Sequence, residues 1–194
     1  MKNVELPSRD EALEMIMHLD APFQTMAWIM LETGAKFSAV QTIRIREVQI
    51  ERGRLIIDGQ TFQLSIGLIE SIHAYIATIL RPGFEQLKRK SHSMSFSAQR
   101  LFPAWIMDGF EHMDLEAVMP LADFVNALQS AAKRSGCRRL VNSNTLRLVA
   151  AREWLKQGMK MDDLHQRLGH RDLMTTMLLA QTLRHGGLTF AAAA

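Results

Sequence analysis

The stretch from Asn142 to Thr182 constrains the fold most, because it consists of short segments with apolar residues at helical spacing, separated by glycines. The first segment has apolar side chains at helical spacing and follows Asn144, a residue type that commonly caps helices. Glycines end the first two segments, and Asp172 is the expected N-cap of the third. The stretch therefore predicts three short helices. The third helix should bury its larger apolar residues, Leu173, Met177 and Leu178.

Two polar residues in this stretch stand at element ends. Arg147 lies near the start of the first helix, and His170 directly follows a glycine that ends the second. Side chains at helix ends around a common centre are well placed to contact a phosphate. Each also has a structural alternative, since Arg147 could cap a neighbouring helix and His170 could bind backbone carbonyls.

The order of these segments resembles the C-terminal half of a tyrosine recombinase (phage integrase) catalytic domain. That family has roughly H-T-L-R-H-x-x-A-T-x-L-x-x-x-G, then L-G-H, then T-T-x-x-Y, and this chain has NTLRLVAAREWLKQG, then LGH, then TTMLL. Arg147 and His170 match the pattern. Asn144 stands where the family has its first active-site histidine, and Leu179 stands where it has the nucleophilic tyrosine.

A second resemblance lies in the segment TGAKFSAVQTIRIREV. Recombinases carry T-G-x-R-x-S-E there, with the first catalytic arginine just past a helix end. Lys36 replaces that arginine, and Ala39 replaces the acid beside it. The family also carries a catalytic lysine in a later hairpin turn, whereas the turn IIDGQTF has none and puts the negative charge of Asp58 there.

The fold class follows from hairpin signals together with this resemblance. Strands are predicted over 48–51, 54–57 and 61–64, around the turns Arg52-Gly53 and Asp58-Gly59. A helix over 66–80 should end before Pro82. The expected fold is α+β, mainly helical with a small three-stranded antiparallel sheet, like a recombinase catalytic domain.

The resemblance implies a single domain over residues 1–194. Its expected parts are helices and a β unit over 8–80, a variable basic loop region over 81–120, helices over 121–184 and a tail over 185–194. We expect no separate N-terminal core-binding domain of the kind with which most recombinases clamp DNA.

Composition excludes several classes of site. A chain of 194 residues can bury one core. Its single cysteine, Cys137, excludes an internal disulfide and a cysteine-based zinc cluster. We expect no metal and no cofactor. No apolar run reaches membrane length, and the polar N-terminus is unlike a signal peptide, so the default location is cytoplasmic. The net charge of +3 is small for a protein whose main task is holding DNA.

The predicted function is non-catalytic, because four catalytic positions are substituted together: the tyrosine, the first arginine, the first histidine and the hairpin lysine. We expect an accessory or regulatory protein of a mobile element that binds double-stranded DNA. The candidate DNA contacts are Lys36, Arg147, His170, Lys133, Arg138, Arg139, Arg52 and Arg54. One alternative is an interaction module that self-associates or docks on an active recombinase through its C-terminal segment. A second is an enzyme with a substituted nucleophile.

Overall fold

The computed structural model describes residues 5–88, 95–105, 113–137, 139 and 141–184, and these form a mainly helical fold with two small antiparallel sheets. The helices are α1 Arg9–Met17, α2 Phe23–Thr33, α3 Phe37–Val40, α4 Ile66–Tyr75, α5 Arg81–Lys88, α6 Leu121–Arg134, α7 Thr145–Lys156, α8 Met161–Leu168 and α9 Leu173–Arg184. The strands are β1 Val48–Gln49, β2 Arg54–Ile57, β3 Gln60–Gln63, β4 Pro103–Trp105 and β5 Met113–Val118. The predicted fold class is confirmed, as are the three helices of the C-terminal stretch.

Helix α7 lies at the centre of the molecule. Every residue from 145 to 151 is buried, and the helix packs against α1, α2, α8 and α9. Its Trp154 ring lies against Gly34, the residue that ends α2 in a left-handed conformation with φ 65°. A glycine is needed there both for that backbone conformation and for the close approach of the indole.

Ser8 followed three residues later by Glu11 predicts a helix start, and α1 begins there. The Ser8 hydroxyl accepts a hydrogen bond from the Glu11 amide at 3.1 Å, and the Ser8 amide donates to the Glu11 carboxylate at 2.6 Å. This reciprocal pair satisfies the backbone N–H groups of Ser8 and Glu11, which have no partner within the helix.

The three-stranded sheet has the order β1-β2-β3, with antiparallel pairing throughout. The first strand is shorter than predicted, because residues 50–52 form a tight helical turn before Gly53, which adopts a φ of 61°. The second turn contains Asp58, whose φ of 49° is left-handed. Aspartate tolerates this conformation better than most residues.

The prediction that Pro82 ends a helix is wrong. Helix α4 continues through one wide π-type turn over 76–80 directly into α5. Such a turn loosens the regular backbone ladder, and it therefore accommodates a residue that has no amide hydrogen. The prediction of a loop region over 81–120 is also wrong in part, since these residues include α5 and the antiparallel pair of β4 and β5.

The buried face of α9 differs from the predicted one. The large apolar residues are exposed: Leu173 by 39%, Met174 by 56%, Met177 by 47% and Leu178 by 57%. The face that packs on the core consists of Thr176, Ala180 and Leu183. These residues follow one another at helical spacing, and the two smaller ones let α9 approach α7 and α8 closely. The sequence-based prediction placed the largest apolar residues of α9 in the core, but the helix packs through the face that includes its smaller residues.

One contiguous apolar core connects Leu6 near the beginning of the described chain with Leu183 near its end. In the described ranges, none of the helices combines the length and the hydropathy that a membrane crossing requires. The predicted tail 185–194, and most of the C-terminal segment expected to contact a partner, lie outside the described residues.

Candidate functional site

Five positions singled out in the sequence lie along one cleft. A hollow of about 300 Å³ is lined by Lys36, Asn144, Arg147, Leu148, His170, Thr175 and Leu179. A second hollow of about 260 Å³ shares Lys36 and Arg147, and its further lining includes Ser38, Asp58, Gln60, Arg167 and Gly169. We call the two hollows together the central cleft. Residues separated by up to 143 positions in the chain therefore meet at one site, as the family pattern predicts.

The cleft is built from the ends of elements. Lys36 is the N-cap of α3, just after the glycine that ends α2, and Asn144 is the N-cap of α7. His170 follows Gly169, which ends α8 in a left-handed conformation with φ 56°. Asp58 lies in the turn between β2 and β3. The sequence signals for helix ends and turns are thus also the signals that locate the site.

Arg147 is the buried cation of the cleft, with only 6% of its surface exposed. Its Nη1 donates to the carbonyl of Gly34 at 3.1 Å, and its Nη2 donates to the carbonyl of Leu168 at 2.6 Å. Burial lowers the pKa of the Arg147 guanidinium, yet an arginine keeps its charge in a protein. The side chain therefore joins the C-terminal ends of α2 and α8 while it contributes positive charge to the cleft.

Asn144 occupies the predicted capping position without making the predicted cap. Its side chain forms no capping hydrogen bond with α7. Instead the Oδ1 of Asn142 accepts from the Asn144 amide at 2.8 Å. The side-chain cap expected of Asn144 is therefore absent, and its exposed side chain lines the cleft.

His170 is half-buried and is held by a buried hydroxyl. Its Nδ1 lies 2.9 Å from the Oγ1 of Thr176, and the Nδ1 of His165 lies 3.0 Å from the same oxygen. Burial lowers the pKa of His170, and the nearby positive charges of Arg147 and Lys36, together with His165, lower it further. At neutral pH the ring is therefore neutral and carries one N–H.

The central cleft also contains groups that sequence reasoning missed. Arg167 lines it and stacks on the Trp154 ring, with its guanidinium carbon 5.0 Å from the ring centroid. Gln60 donates to the carbonyl of Gln166 at 2.8 Å, which ties the Asp58 turn to the end of α8. The signal for Arg167 was its place in the last turn of a helix that ends beside His170. No such signal marks Thr176, whose role depends on two contacts outside its own helix.

Comparison with solved structures identifies the architecture. The fold matches the crystal structure of XerA recombinase with a TM-score of 0.68 over 95% of this chain and 65% of that chain, at 16% identity. It matches XerH site-specific recombinase bound to its difH substrate with a TM-score of 0.63, over 95% and 53%, at 18% identity. It matches the catalytic domain of bacteriophage HP1 integrase with a TM-score of 0.54, over 92% and 88%, at 16% identity. The fold is that of a tyrosine recombinase catalytic domain.

The likeness to tyrosine recombinases is one of structure. The sequence matches no protein-family model and no curated protein. The chain spans about half to two thirds of the length of the XerA and XerH chains.

The other predicted DNA contacts that the structure describes do not line the central cleft of this recombinase fold. Arg52 and Arg54 belong to the end of the sheet opposite the Asp58 turn, and Arg54 bonds Gln63 at 3.4 Å. Lys133 is exposed in the last turn of α6. Arg138 lies outside the described residues.

Arg139 has partners of its own, all in the N-terminal segment. Its Nη1 lies 2.9 Å from the Glu11 carboxylate, its Nη2 lies 3.4 Å from the Glu5 carboxylate, and it also donates to the Leu6 carbonyl. It therefore fastens the start of the described chain to the segment before α7.

The chemistry available in the cleft is cationic and hydrogen-bonding. In the part of the chain that the structure describes, no group of three or more His, Cys, Asp or Glu side chains could hold a metal ion. The cleft combines the charges of Lys36, Arg147 and Arg167 with the imidazole of His170, and Asp58 supplies one opposing charge. Such a set suits an anion with several oxygens.

Proposed function

We propose that this chain is a non-catalytic protein that binds double-stranded DNA through the central cleft, as an accessory or regulatory factor of a mobile element. One observation carries the proposal: Lys36, Arg147 and His170 line a single cleft whose fold is that of recombinase catalytic domains. Solved structures with this fold include XerH bound to difH and the Tn1549 transposon integrase in complex with circular intermediate DNA.

The cleft offers a DNA phosphate three kinds of contact. Arg147 supplies a buried charge, although two of its N–H groups are committed to backbone carbonyls. Lys36 supplies an exposed point charge rather than the fork of a guanidinium. His170 supplies a neutral ring nitrogen. Asp58 reduces the positive potential of the same cleft, so we expect moderate affinity that depends strongly on salt.

The absence of catalysis is proposed from the chemistry of the lining. Leu179 has an alkyl side chain, which cannot form a covalent bond to phosphorus. Thr175 brings a hydroxyl to the hollow that contains Leu179, but within the described residues that hydroxyl has no hydrogen bond to a base. The Nδ1 of His170 is engaged by Thr176, and its remaining nitrogen, Nε2, is the one that would contact the DNA phosphate. We therefore expect no covalent protein–DNA adduct on a nicked suicide duplex, as resolved on a denaturing gel. An adduct would establish an enzyme with a substituted nucleophile.

DNA binding through the cleft is tested by fluorescence anisotropy with a labelled duplex at several salt concentrations. Replacing Lys36 by glutamine should make the negative slope of log K against log salt shallower by about 1, because one phosphate contact is lost. Lys156→Gln is the matched control, since it removes the same charge from an exposed lysine in the last turn of α7, outside the cleft and outside the candidate DNA contacts. Its slope should equal that of the unchanged protein.

Two outcomes would contradict the proposal. Equal effects of the two lysine substitutions would mean that DNA does not use the cleft. No duplex binding even at low salt would contradict DNA binding itself.

If no duplex binds, the exposed apolar face of α9 (Leu173, Met174, Met177 and Leu178) favours the second candidate function, a protein that associates with a second copy of itself. Light scattering of the protein alone would then show a dimer that Met174→Glu returns to a monomer.

A further inference from the structure

The hydroxyl of Thr176 is shared by two imidazoles. Thr176 is fully buried, and its Oγ1 lies within hydrogen-bond distance of the Nδ1 atoms of both His165 and His170. A hydroxyl has one hydrogen to donate and two lone pairs that accept. In the described part of the chain, this hydroxyl makes no hydrogen bond other than these two.

This count of one donor hydrogen and two acceptor lone pairs restricts the tautomers of the two imidazole rings. If both Nδ1 atoms were unprotonated, the hydroxyl could bond only one of them and the other would lack a partner. If both were protonated, the hydroxyl hydrogen would have no acceptor in a buried place, which costs about 1–3 kcal/mol. The arrangement that satisfies all three groups has one Nδ1 accepting from the hydroxyl and the other donating to it. When both rings are neutral, the two histidines therefore carry their protons on opposite nitrogens.

Only two directions of this hydrogen-bond chain satisfy every group. In one, His170 donates from Nδ1 to Thr176, and Thr176 donates to His165. In the other, His165 donates from Nδ1 to Thr176, Thr176 donates to His170, and the His170 proton lies on Nε2. Each ring has one proton and the hydroxyl one hydrogen in both directions, so the total charge is unchanged. The two directions differ in whether Nε2 of His170 is an acceptor or a donor.

We propose that Thr176 couples His165 to His170 as one reversible hydrogen-bond chain, and that an anion in the central cleft selects the direction in which His170 donates from Nε2. Thr176 and His165 are then positioning residues, and His170 is the group that contacts the anion. The coupling stands on the contacts of Thr176 alone. The selection rests on the proposed function, because the anion is a DNA phosphate.

The location of His170 supports the selection. Its ring lines the cleft with Lys36 and Arg147, and its Nδ1 is occupied by Thr176, so Nε2 is the nitrogen left for a ligand. In the empty cleft, a lone pair on Nε2 is favourable beside two cations. A bound phosphate has only acceptor oxygens and requires an N–H. Filling the cleft therefore reverses the preferred direction of the chain.

The test is nitrogen NMR of the imidazoles in ¹⁵N-labelled protein, at a pH where both rings are neutral, since the shifts of Nδ1 and Nε2 identify the protonated atom. In the free protein the two histidines should show opposite tautomers. Adding a short duplex should bring His170 to the Nε2–H form and His165 to the Nδ1–H form together. Thr176→Val has the same shape without the hydroxyl, and it should abolish the response of His165 to DNA while Thr176→Ser restores it.

A second variant keeps the test informative if Thr176→Val does not fold. His165→Leu leaves the hydroxyl hydrogen to His170 alone, so His170 should be in the Nε2–H form even without DNA. Identical tautomers of the two histidines in the free unchanged protein would overturn the coupling. Duplex binding that leaves both tautomers unchanged would overturn the selection. Absence of any duplex binding would overturn the selection and the proposed function together, while the free-protein spectra would still decide the coupling.

Discussion

Replacing Gly34 by alanine is expected to lower the free energy of unfolding by about 2–5 kcal/mol. The residue has a φ of 65°, and holding an alanine in a left-handed conformation costs roughly 1–2 kcal/mol. An added Cβ would also lie 2.6 Å from Cη2 and 2.9 Å from Cζ3 of Trp154. Because that ring is part of the buried core, moving it should cost about 1–3 kcal/mol more.

Gly158→Ala is the matched control for this prediction. Gly158 has a φ of 82°, but a Cβ there would meet nothing within 4 Å. It should therefore cost only the conformational part, roughly 1–2 kcal/mol. Urea unfolding of the three proteins, followed by tryptophan fluorescence, measures the difference. Equal losses in the two variants would show that the indole moves aside freely and that its contact with Gly34 is not close-packed.

Replacing Arg147 by methionine is expected to destabilise the fold by about 2–4 kcal/mol, because it leaves two backbone carbonyls without their donors. Those carbonyls belong to Gly34 and Leu168, at the ends of α2 and α8. Methionine fills a comparable volume and keeps the loss of packing small. Arg147→Lys retains the charge but reaches fewer acceptors, so its loss should be intermediate.

The control for Arg147 is Arg54→Met, which changes an exposed arginine of β2. It should alter the unfolding free energy by no more than about 0.5 kcal/mol. The same urea titration measures all three variants. A loss below about 1 kcal/mol for Arg147→Met would mean that the two carbonyls find other donors, and that Arg147 is held in the cleft for its charge alone.

Much of the fold follows from local signals in the sequence. The capping pair at Ser8, the turns around Gly53 and Asp58, and the glycines that end α7 and α8 all lie where the sequence predicts. These features depend on the chemistry of a few neighbouring residues, which a single sequence contains in full. The meeting of five distant positions in one cleft was predicted by family resemblance, because no local signal brings Lys36 close to Leu179.

The features that could not be predicted depend on contacts with residues that are distant in the chain or one helical turn away. Helix α9 has one stripe of large apolar residues and another around Thr176 and Ala180, and only its neighbours determine which stripe is buried. The two carbonyls bound by Arg147 lie 113 and 21 residues away in the chain. The continuation of the helix through Pro82 depends on a backbone adjustment one turn earlier. None of these is encoded in a short window of sequence.

The placement of the cleft at the ends of helices and strands determines which of its residues can be substituted, in evolution or by design. Lys36, Asp58, Asn144 and His170 all lie in caps or turns, outside the contiguous apolar core. The exposed side chains of Lys36 and Asn144 can be exchanged with little effect on packing, while Arg147, Gly34 and His170 contact buried groups. In a scaffold of this kind, a few point substitutions can remove one catalytic or binding activity and introduce another. It is therefore a suitable host for grafting new anion-binding or catalytic groups without redesign of the interior.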